Sequence, residues 1–202
     1  MTEADSAATS APVAVLAAFA AVDAANRLDP NHLVFDGIDW PLAELQGVRG
    51  TYWLKRLASA PSAALLVAVR AHHLRRWTVF RSDYPQGRAG YHQWKRAAKV
   101  VHGGALEELC GEHLDPTLLA RAMELVQRTG LGSDPDAQLV EDAVCLVFLE
   151  TQFESLVDKI GREKVVDAVR KTAAKMSPAA VALADGAIRT DLGRSVLAQA
   201  VS

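Results

Sequence analysis

Apolar residues recur along most of the chain at spacings of three and four, which is the period of a helix with one buried face. This pattern predicts helices over residues 11–27, 42–57, 61–77, 90–109, 116–128 and 163–175, a long helix from residue 136, and a final helix after Pro178. No strand alternation is evident, and the abundant Ala and Leu favour helix. We therefore expect an all-α fold, a single-domain helical bundle over residues 11–202 that follows a disordered tail at residues 1–10.

The helical pattern is interrupted at two places by residues that favour turns. Asp36-Gly37 predicts a tight turn, and Pro41 restarts the chain before the second helix. Residues 78–89 predict a long, charged and aromatic loop that contains Pro85 and Gly87. Long loops in compact domains often carry function, so this loop is a candidate part of a site.

Polar residues fall on the predicted buried faces of three helices, namely His73, His102 and Asp142. His73 continues the stripe of Leu66 and Val69 at helical spacing, which predicts that its neighbour His72 points elsewhere. An unpaired buried carboxylate is costly, so Asp142 should have a partner, which would be an arginine, a histidine or a metal ion. Histidine and aspartate from different helices of a bundle are a common metal site, and a buried pair that only fixes packing is the alternative.

Charge is distributed unevenly along a chain whose net charge is only −2. Residues 49–106 contain eleven Lys and Arg residues and a single acid, Asp83, whereas the segments that follow are acidic. Arg side chains bind phosphate, sulfate or carboxylate through two-point contacts, and nearby Trp and Tyr rings stack on a base or cover a guanidinium. The basic stretch therefore predicts a site for a small anion, and the alternative is a solvated surface paired with the acidic segments.

Several classes of protein lack support in the sequence. Cys110 and Cys145 are far apart and occur in helical patterns, so neither a zinc knuckle nor a disulfide framework is predicted, and a reducing cytoplasm fits. The apolar stretch at residues 13–25 follows a leader with acids and no Lys or Arg, and it is too short to span a bilayer, so neither a signal peptide nor a membrane anchor is expected. The small net charge predicts no general affinity for nucleic acid.

Four segments resemble a helical family known as domain of unknown function 4202: AHHLRRW, RSDYPQGRAGYHQWKRAAKVVH, SDPDAQLVEDAVCLVFLE and RKTAAKMSP. The resemblance covers residues 29–178. The layout of the family is in turn similar to the HD-domain superfamily, whose metal-dependent members hydrolyse phosphate esters and nucleotides. Some members of that superfamily are di-iron oxygenases. The resemblance therefore implies an HD-like helical fold.

The similarity to the HD-domain superfamily also implies a metal site. His73 matches the histidine of the paired His-Asp motif, His102 an additional histidine, and Asp142 the late aspartate. Leu74 stands where the aspartate of the pair is expected, and the second predicted helix contains no histidine. The three matching residues would hold a divalent transition metal (Mn, Fe, Co or Ni) as a reduced ligand set, or else arginines have replaced the metal.

We expect an HD-like protein that binds a small phosphorylated or otherwise anionic molecule, such as a nucleotide or a phosphate ester. In the enzymatic version, a metal-dependent phosphohydrolase, the metal on His73, His102 and Asp142 would lower the pKa of a water that attacks phosphorus. The alternatives are a non-catalytic anion- or nucleotide-binding protein and, third, an HD-type di-iron oxygenase. The predicted ligand-binding residues are Arg49, Arg76, Trp77, Arg81, Tyr84, Arg88, Tyr91, Lys95 and Lys99.

Overall fold

A computed structural model describes the backbone of residues 3–201 and the side chains of residues 13–200. Met1, Thr2 and Ser202 lie outside the described backbone, and the predicted disordered tail at residues 1–10 lies outside the described side chains. Within these limits the regular structure is helical except for one two-stranded sheet. The all-α prediction is confirmed, and the assignment of residues 11–202 to one HD-like domain stays a prediction.

The described helices are α1 (Glu3–Asn26), α2 (Leu42–Leu57), α3 (Ala63–Arg70), α4 (Gly87–Cys110), α5 (Pro116–Val126), α6 (Pro135–Thr151), α7 (Phe153–Ile160), α8 (Arg162–Ala173), α9 (Pro178–Ala187) and α10 (Asp191–Val201). The backbone divides into two compact units. The first comprises Met1–Val48 and Pro61–Thr129, and the second comprises Arg49–Ala60 and Gly130–Ser202. No helix in the described chain has both the length and the apolarity needed to cross a membrane.

The first unit contains a β-hairpin that the hydrophobic pattern does not predict. Strand β1 (His32–Phe35) pairs antiparallel with β2 (Ile38–Pro41) across a two-residue turn. Asp36 and Gly37 form this turn with φ values of 52° and 76°. Positive φ at both central positions is the requirement of a type I′ turn, which Asp-Gly satisfies. The turn prediction is confirmed, whereas the expectation of no strands is wrong, because two strands of four residues show too little alternation to be recognised.

The helices of the first unit pack around a core of small and branched side chains. α3 packs against α1 and α5, and α4 packs against the same two helices. Gly47 in α2 allows a close approach to the end of α3, because a Cβ at this position would lie only 2.5 Å from the carbonyl oxygen of Arg70. This approach brings the neighbouring residue, Gln46, beside the turn that follows α3.

A second close approach fixes the start of α4 and gives a testable prediction. A Cβ on Gly90 would lie 1.8 Å from the carbonyl oxygen of Pro85, whereas a Cβ on Gly104 in the same helix would meet nothing within 4 Å. We expect Gly90→Ala to lower the free energy of unfolding by about 1–3 kcal/mol through overpacking. Gly104→Ala should raise it by up to about 1 kcal/mol through helix propensity. Urea denaturation of both variants measures the difference, and equal effects would contradict the close contact at Gly90.

The second unit is built from α6 to α10 together with the C-terminal half of α2. α10 packs against α7 and α8, and α6 packs against α7, α8 and α9. The sequence pattern does not predict α7, and it predicts one final helix where α9 and α10 are separate. The hydroxyl of Thr190 accepts a hydrogen bond from the backbone N–H of Gly193, which caps the start of α10.

Candidate functional site

The candidate site lies where α3 ends in the first unit. α3 ends at Arg70 rather than at residue 77, and residues 71–75 form turns that lead into a short 3-10 helix at Arg76–Thr78. Arg75 has a φ of 55°, a left-handed conformation that interrupts a right-handed helix. The turns therefore change the directions in which the side chains after Arg70 point.

The early end of α3 changes the predicted orientation of His72. His72 is only 1% exposed, whereas His73 is partly exposed. The prediction that His72 points away from the core is wrong, because helical spacing does not apply once the chain has left the helix. The buried position of His102, which is 3% exposed, is confirmed. The burial of His72 is the main feature that helical periodicity does not predict, and the only indication of it in the sequence is that His72 is adjacent to His73.

His72, His73 and His102 form a group that we call the histidine cluster. The ring centroids of His72 and His73 lie 4.3 Å apart, and those of His73 and His102 lie 6.2 Å apart. The turn after α3 supplies the first two rings, and α4 supplies the third. His73 is therefore the central ring of the three.

Each ring of the cluster is held by a hydrogen bond at Nδ1. Nδ1 of His72 donates to the carbonyl oxygen of Val69 at 2.7 Å, and Nδ1 of His102 donates to that of Leu74 at 2.7 Å. Nδ1 of His73 donates to Oε1 of the Gln46 side chain. Since a neutral imidazole carries one proton, these bonds leave Nε2 of every ring as an acceptor.

Burial keeps the histidine cluster neutral. It lowers the pKa of His72 to about 3 and that of His102 to about 4, and it holds the pKa of His73 well below the ordinary value. The charges of Arg76 and Arg128 lower the pKa of each ring further. The three imidazoles are therefore uncharged at neutral pH and lie next to positive charge.

Arg76 is the residue of the site whose charge is packed against an aromatic ring. Its guanidinium lies 4.3 Å from the centroid of the Trp94 ring, and the indole N–H of Trp94 donates to the carbonyl oxygen of Val79 at 2.8 Å. Burial lowers the pKa of Arg76, Tyr91 opposes this effect, and the charge of Arg128 adds to it. Among the described residues no Asp or Glu forms an ion pair with Arg76. Arg76 is thus a partly buried cation that lacks a counter-ion in the described chain.

Two of the predicted ligand residues, Arg81 in the loop before α4 and Arg88 in the first turn of α4, make local contacts. Nη1 of Arg81 donates to the backbone carbonyl of Tyr84 at 2.9 Å, which holds the loop in shape. Arg88 is exposed, and its Nε lies 3.5 Å from Nε2 of His92 on the next turn of α4. These residues lie at the surface or in the loop, and their role as ligand contacts stays a prediction.

Three predicted ligand residues, Tyr91, Lys95 and Lys99, lie on α4, the helix that also carries His102. The charge of Lys99 lowers the pKa of His102. Nζ of Lys95 lies 5.7 Å from the centroid of the Tyr91 ring, and the Tyr91 ring lies 5.7 Å from that of Trp94. Trp77 is partly exposed on the 3-10 helix. The structure therefore groups Arg76, Tyr91 and Lys99 with the histidines, and adds Gln46, Trp94 and Arg128, which the sequence pattern did not select.

Arg49 belongs to the second unit and already has a counter-ion. Its Nε and Nη2 donate to Oε2 and Oε1 of Glu150 at 2.7 and 2.5 Å. The indole N–H of Trp53 donates to the same Oε2 at 2.9 Å, and the Arg49 guanidinium lies 4.0 Å from the centroid of the Tyr52 ring. These contacts join α2 to α6, so the described role of Arg49 is structural.

Asp142 also lies in the second unit, where it is 1% exposed as predicted. Its Oδ1 accepts hydrogen bonds from Nε2 of Gln138 and from the backbone N–H of Ser177, both at 2.9 Å. The hydroxyl of Ser177, the N-cap residue of α9, donates to Oδ2 at 2.6 Å. The expectation of a partner is confirmed, and the partners among the described residues are an amide, a hydroxyl and a backbone N–H. Asp142 anchors the start of α9 to α6.

The residues proposed as metal ligands do not fit a metal site in the part of the chain that the structure describes. No group of three or more His, Cys, Asp or Glu side chains there is arranged to hold a metal ion. Both carboxylate oxygens of Asp142 accept hydrogen bonds from neighbouring donors. We therefore derive no chemical step through a metal, and the metal set of His73, His102 and Asp142 stays a prediction.

The fold and the site together define an all-α protein in which a cluster of neutral histidines lies beside an arginine that no acid of the described residues neutralises. The chain belongs to the family described as Domain of unknown function (DUF4202), whose model matches residues 16–194. The resemblance to this family is thereby confirmed over most of the chain, whereas the similarity to the HD-domain superfamily stays a prediction. No curated protein and no solved structure matches the chain.

Proposed function

We propose that this protein binds a small phosphorylated or otherwise anionic molecule at Arg76 and the histidine cluster. The observation that supports this function best is the state of Arg76. Its guanidinium is partly buried against Trp94, and no acid in the described chain pairs with it. Removing a charge from water is unfavourable unless an opposite charge compensates it, so a bound anion would stabilise this arrangement.

The surroundings of Arg76 favour an anion over a cation. The neighbouring histidines are neutral, and the other charges that act on them are the positive charges of Arg128 and Lys99. A guanidinium can form two parallel hydrogen bonds with a phosphate or carboxylate, and packing on an aromatic ring fixes its orientation beforehand. The site thus supplies positive potential and preset donors, which are the two elements of phosphate recognition.

Removal of the Arg76 charge should abolish most of the binding. We expect Arg76→Gln to weaken the binding of inorganic phosphate or of a nucleotide by about 10- to 100-fold, since a hydrogen bond to a charged group contributes roughly 1.5–3 kcal/mol. Isothermal titration calorimetry measures the affinity, after a thermal-shift screen of nucleotides, phosphate esters and sulfate esters has selected the tightest ligand. The matched control is Arg96→Gln, because Arg96 is an exposed arginine of α4 and its loss removes the same charge.

The two variants separate specific binding from general attraction of anions. If Arg76→Gln and Arg96→Gln weaken binding equally, the ligand responds only to net charge and the proposed site is wrong. If neither phosphate nor any member of the screen binds the parent protein, the proposed function itself is wrong.

The predicted phosphohydrolase and di-iron oxygenase both require a metal in addition to the anion site. Metal analysis of the gently purified protein, followed by phosphatase assays with added Mn²⁺ or Co²⁺, tests the hydrolase. Bound iron together with oxygen consumption tests the oxygenase. Anion binding without metal and without turnover supports the non-catalytic alternative.

A further inference from the structure

We infer that the anion taken by this site also carries a hydroxyl hydrogen, so that the site selects protonated phosphate groups over fully ionised sulfate groups. The preferred ligands would be inorganic phosphate and phosphate monoesters that retain one P–OH. This inference rests on the proposed function, because it assigns the chemical class of the anion bound at Arg76. It depends on the hydrogen-bonding capacity of the His73 ring.

The histidine cluster presents acceptors and no donors at its free nitrogens. The Nδ1 protons of all three rings are used in hydrogen bonds to oxygen atoms of Val69, Leu74 and Gln46. Among the described residues no donor reaches Nε2 of any of the three rings. Nε2 of His72 is buried and has no hydrogen-bond partner. Each ring of the cluster therefore has an acceptor nitrogen, Nε2, to which none of the described residues donates a hydrogen bond.

The three residues of the histidine cluster differ in their exposure. His72 and His102 are buried, whereas His73 is partly exposed. The backbone N–H of Arg76 donates to the carbonyl oxygen of His73 at 3.0 Å, so the two residues belong to the same turn of the chain. In the proposed complex a ligand bound at Arg76 would contact Nε2 of His73, the residue of the cluster that is partly exposed.

The two contacts require different atoms of the ligand. The guanidinium of Arg76 has only donors and binds ionised oxygens, whereas Nε2 of His73 requires a donor. Gln46 holds the His73 ring with Nδ1 as the donor, which opposes exchange to the other tautomer. A phosphate with one P–OH satisfies both contacts. Sulfate has no proton near neutral pH, so one of its oxygens would face the lone pair of His73 without a hydrogen bond.

Comparison of inorganic phosphate with inorganic sulfate tests the inference on the unmodified protein. Titration calorimetry near neutral pH and at constant ionic strength should show phosphate binding at least roughly tenfold more tightly than sulfate, because one acceptor is left unsatisfied with sulfate. Equal affinities would overturn the inference and leave the proposed anion site intact. Binding of neither anion would overturn both, and the absence of binding distinguishes this outcome from the first.

A pair of variants then tests whether His73 is the specificity-determining residue. His73→Gln replaces the acceptor by an amide that can donate, so the preference for phosphate should fall to about threefold or less. His92→Gln is the matched control, because His92 is exposed on α4 and lies outside the cluster, and it should keep the full preference. A His73→Gln protein that binds both anions with the parental preference would contradict the role of His73.

Discussion

Lowering the pH from about 7.5 to about 5.5 is expected to reduce the free energy of unfolding by about 3 kcal/mol through His72 and His102 alone. Burial lowers the pKa of these residues in the folded protein to about 3 and about 4. In the unfolded chain both recover the ordinary value near 6.5, so the unfolded state binds more protons as the pH falls below that value. Over this pH interval each of the two histidines destabilises the folded state by about 1.4 kcal/mol in total.

The sign of this effect identifies its source. The stabilisation that depends on neutral His72 and His102 is fully present above pH ~6.5 and decreases as the pH falls toward their folded pKa values. His73 acts in the same direction. Urea denaturation at several pH values measures how the free energy of unfolding depends on pH, and the slope gives the number of protons taken up on unfolding. His102→Asn should lower this number by about one below pH ~6.5, whereas His113→Asn at the surface should leave it unchanged. A free energy of unfolding that stays constant between these pH values would show that the cluster is solvated rather than buried.

Asp23→Asn is expected to lower the free energy of unfolding by about 3 kcal/mol, because it leaves the Arg70 charge partly buried without a partner. In the first unit, Nε and Nη2 of Arg70 donate to the two carboxylate oxygens of Asp23 at 2.7 and 2.6 Å. The side chains of Arg70 and Asp23 are only 14% and 15% exposed. This pair joins α1 to the end of α3, where the turn that carries the histidines begins.

A second bidentate pair in the same unit provides the control. Nη1 and Nη2 of Arg75 donate to Glu108 at 2.6 and 2.7 Å, but the Glu108 side chain is 60% exposed. Glu108→Gln should therefore change stability much less than Asp23→Asn does, since exposed pairs are screened by water. Equal losses for Asp23→Asn and Glu108→Gln, measured by urea denaturation, would show that burial does not distinguish the two pairs.

The helical elements were predictable wherever a segment buries one face and has clear end signals. α2 begins and ends at the predicted residues, and α5 and α6 begin with Pro116 and Pro135 within one residue of the predicted starts. The errors occur where local signals are short or mixed. The four-residue strands, the one-residue separation of α6 from α7 and the early end of α3 each depend on neighbours that are distant in sequence.

The candidate site was predictable in its location and less so in its composition. The segment that contains His73, Arg76 and His102 was identified from its charge and from its unusual histidines. The structure adds His72 and Gln46 to these residues. It also shows that Arg49 and Asp142 form structural contacts within the second unit, with Glu150 and Ser177 respectively. A positively charged residue in the sequence does not show whether an acid neutralises it, because its partner can be a hundred residues away.

The sequence by itself determined the helical class of this protein and the stretch in which the candidate site lies, since these follow from local periodicity and composition, and four of its segments indicated the family by resemblance. Only the tertiary structure decided which histidines are buried, which of their nitrogen atoms remain acceptors, and that Arg76 has no acidic partner among the described residues. These properties arise from burial and from hydrogen bonds between segments that are distant along the chain, and no local pattern encodes them. The proposed binding of a protonated phosphate follows from these tertiary properties.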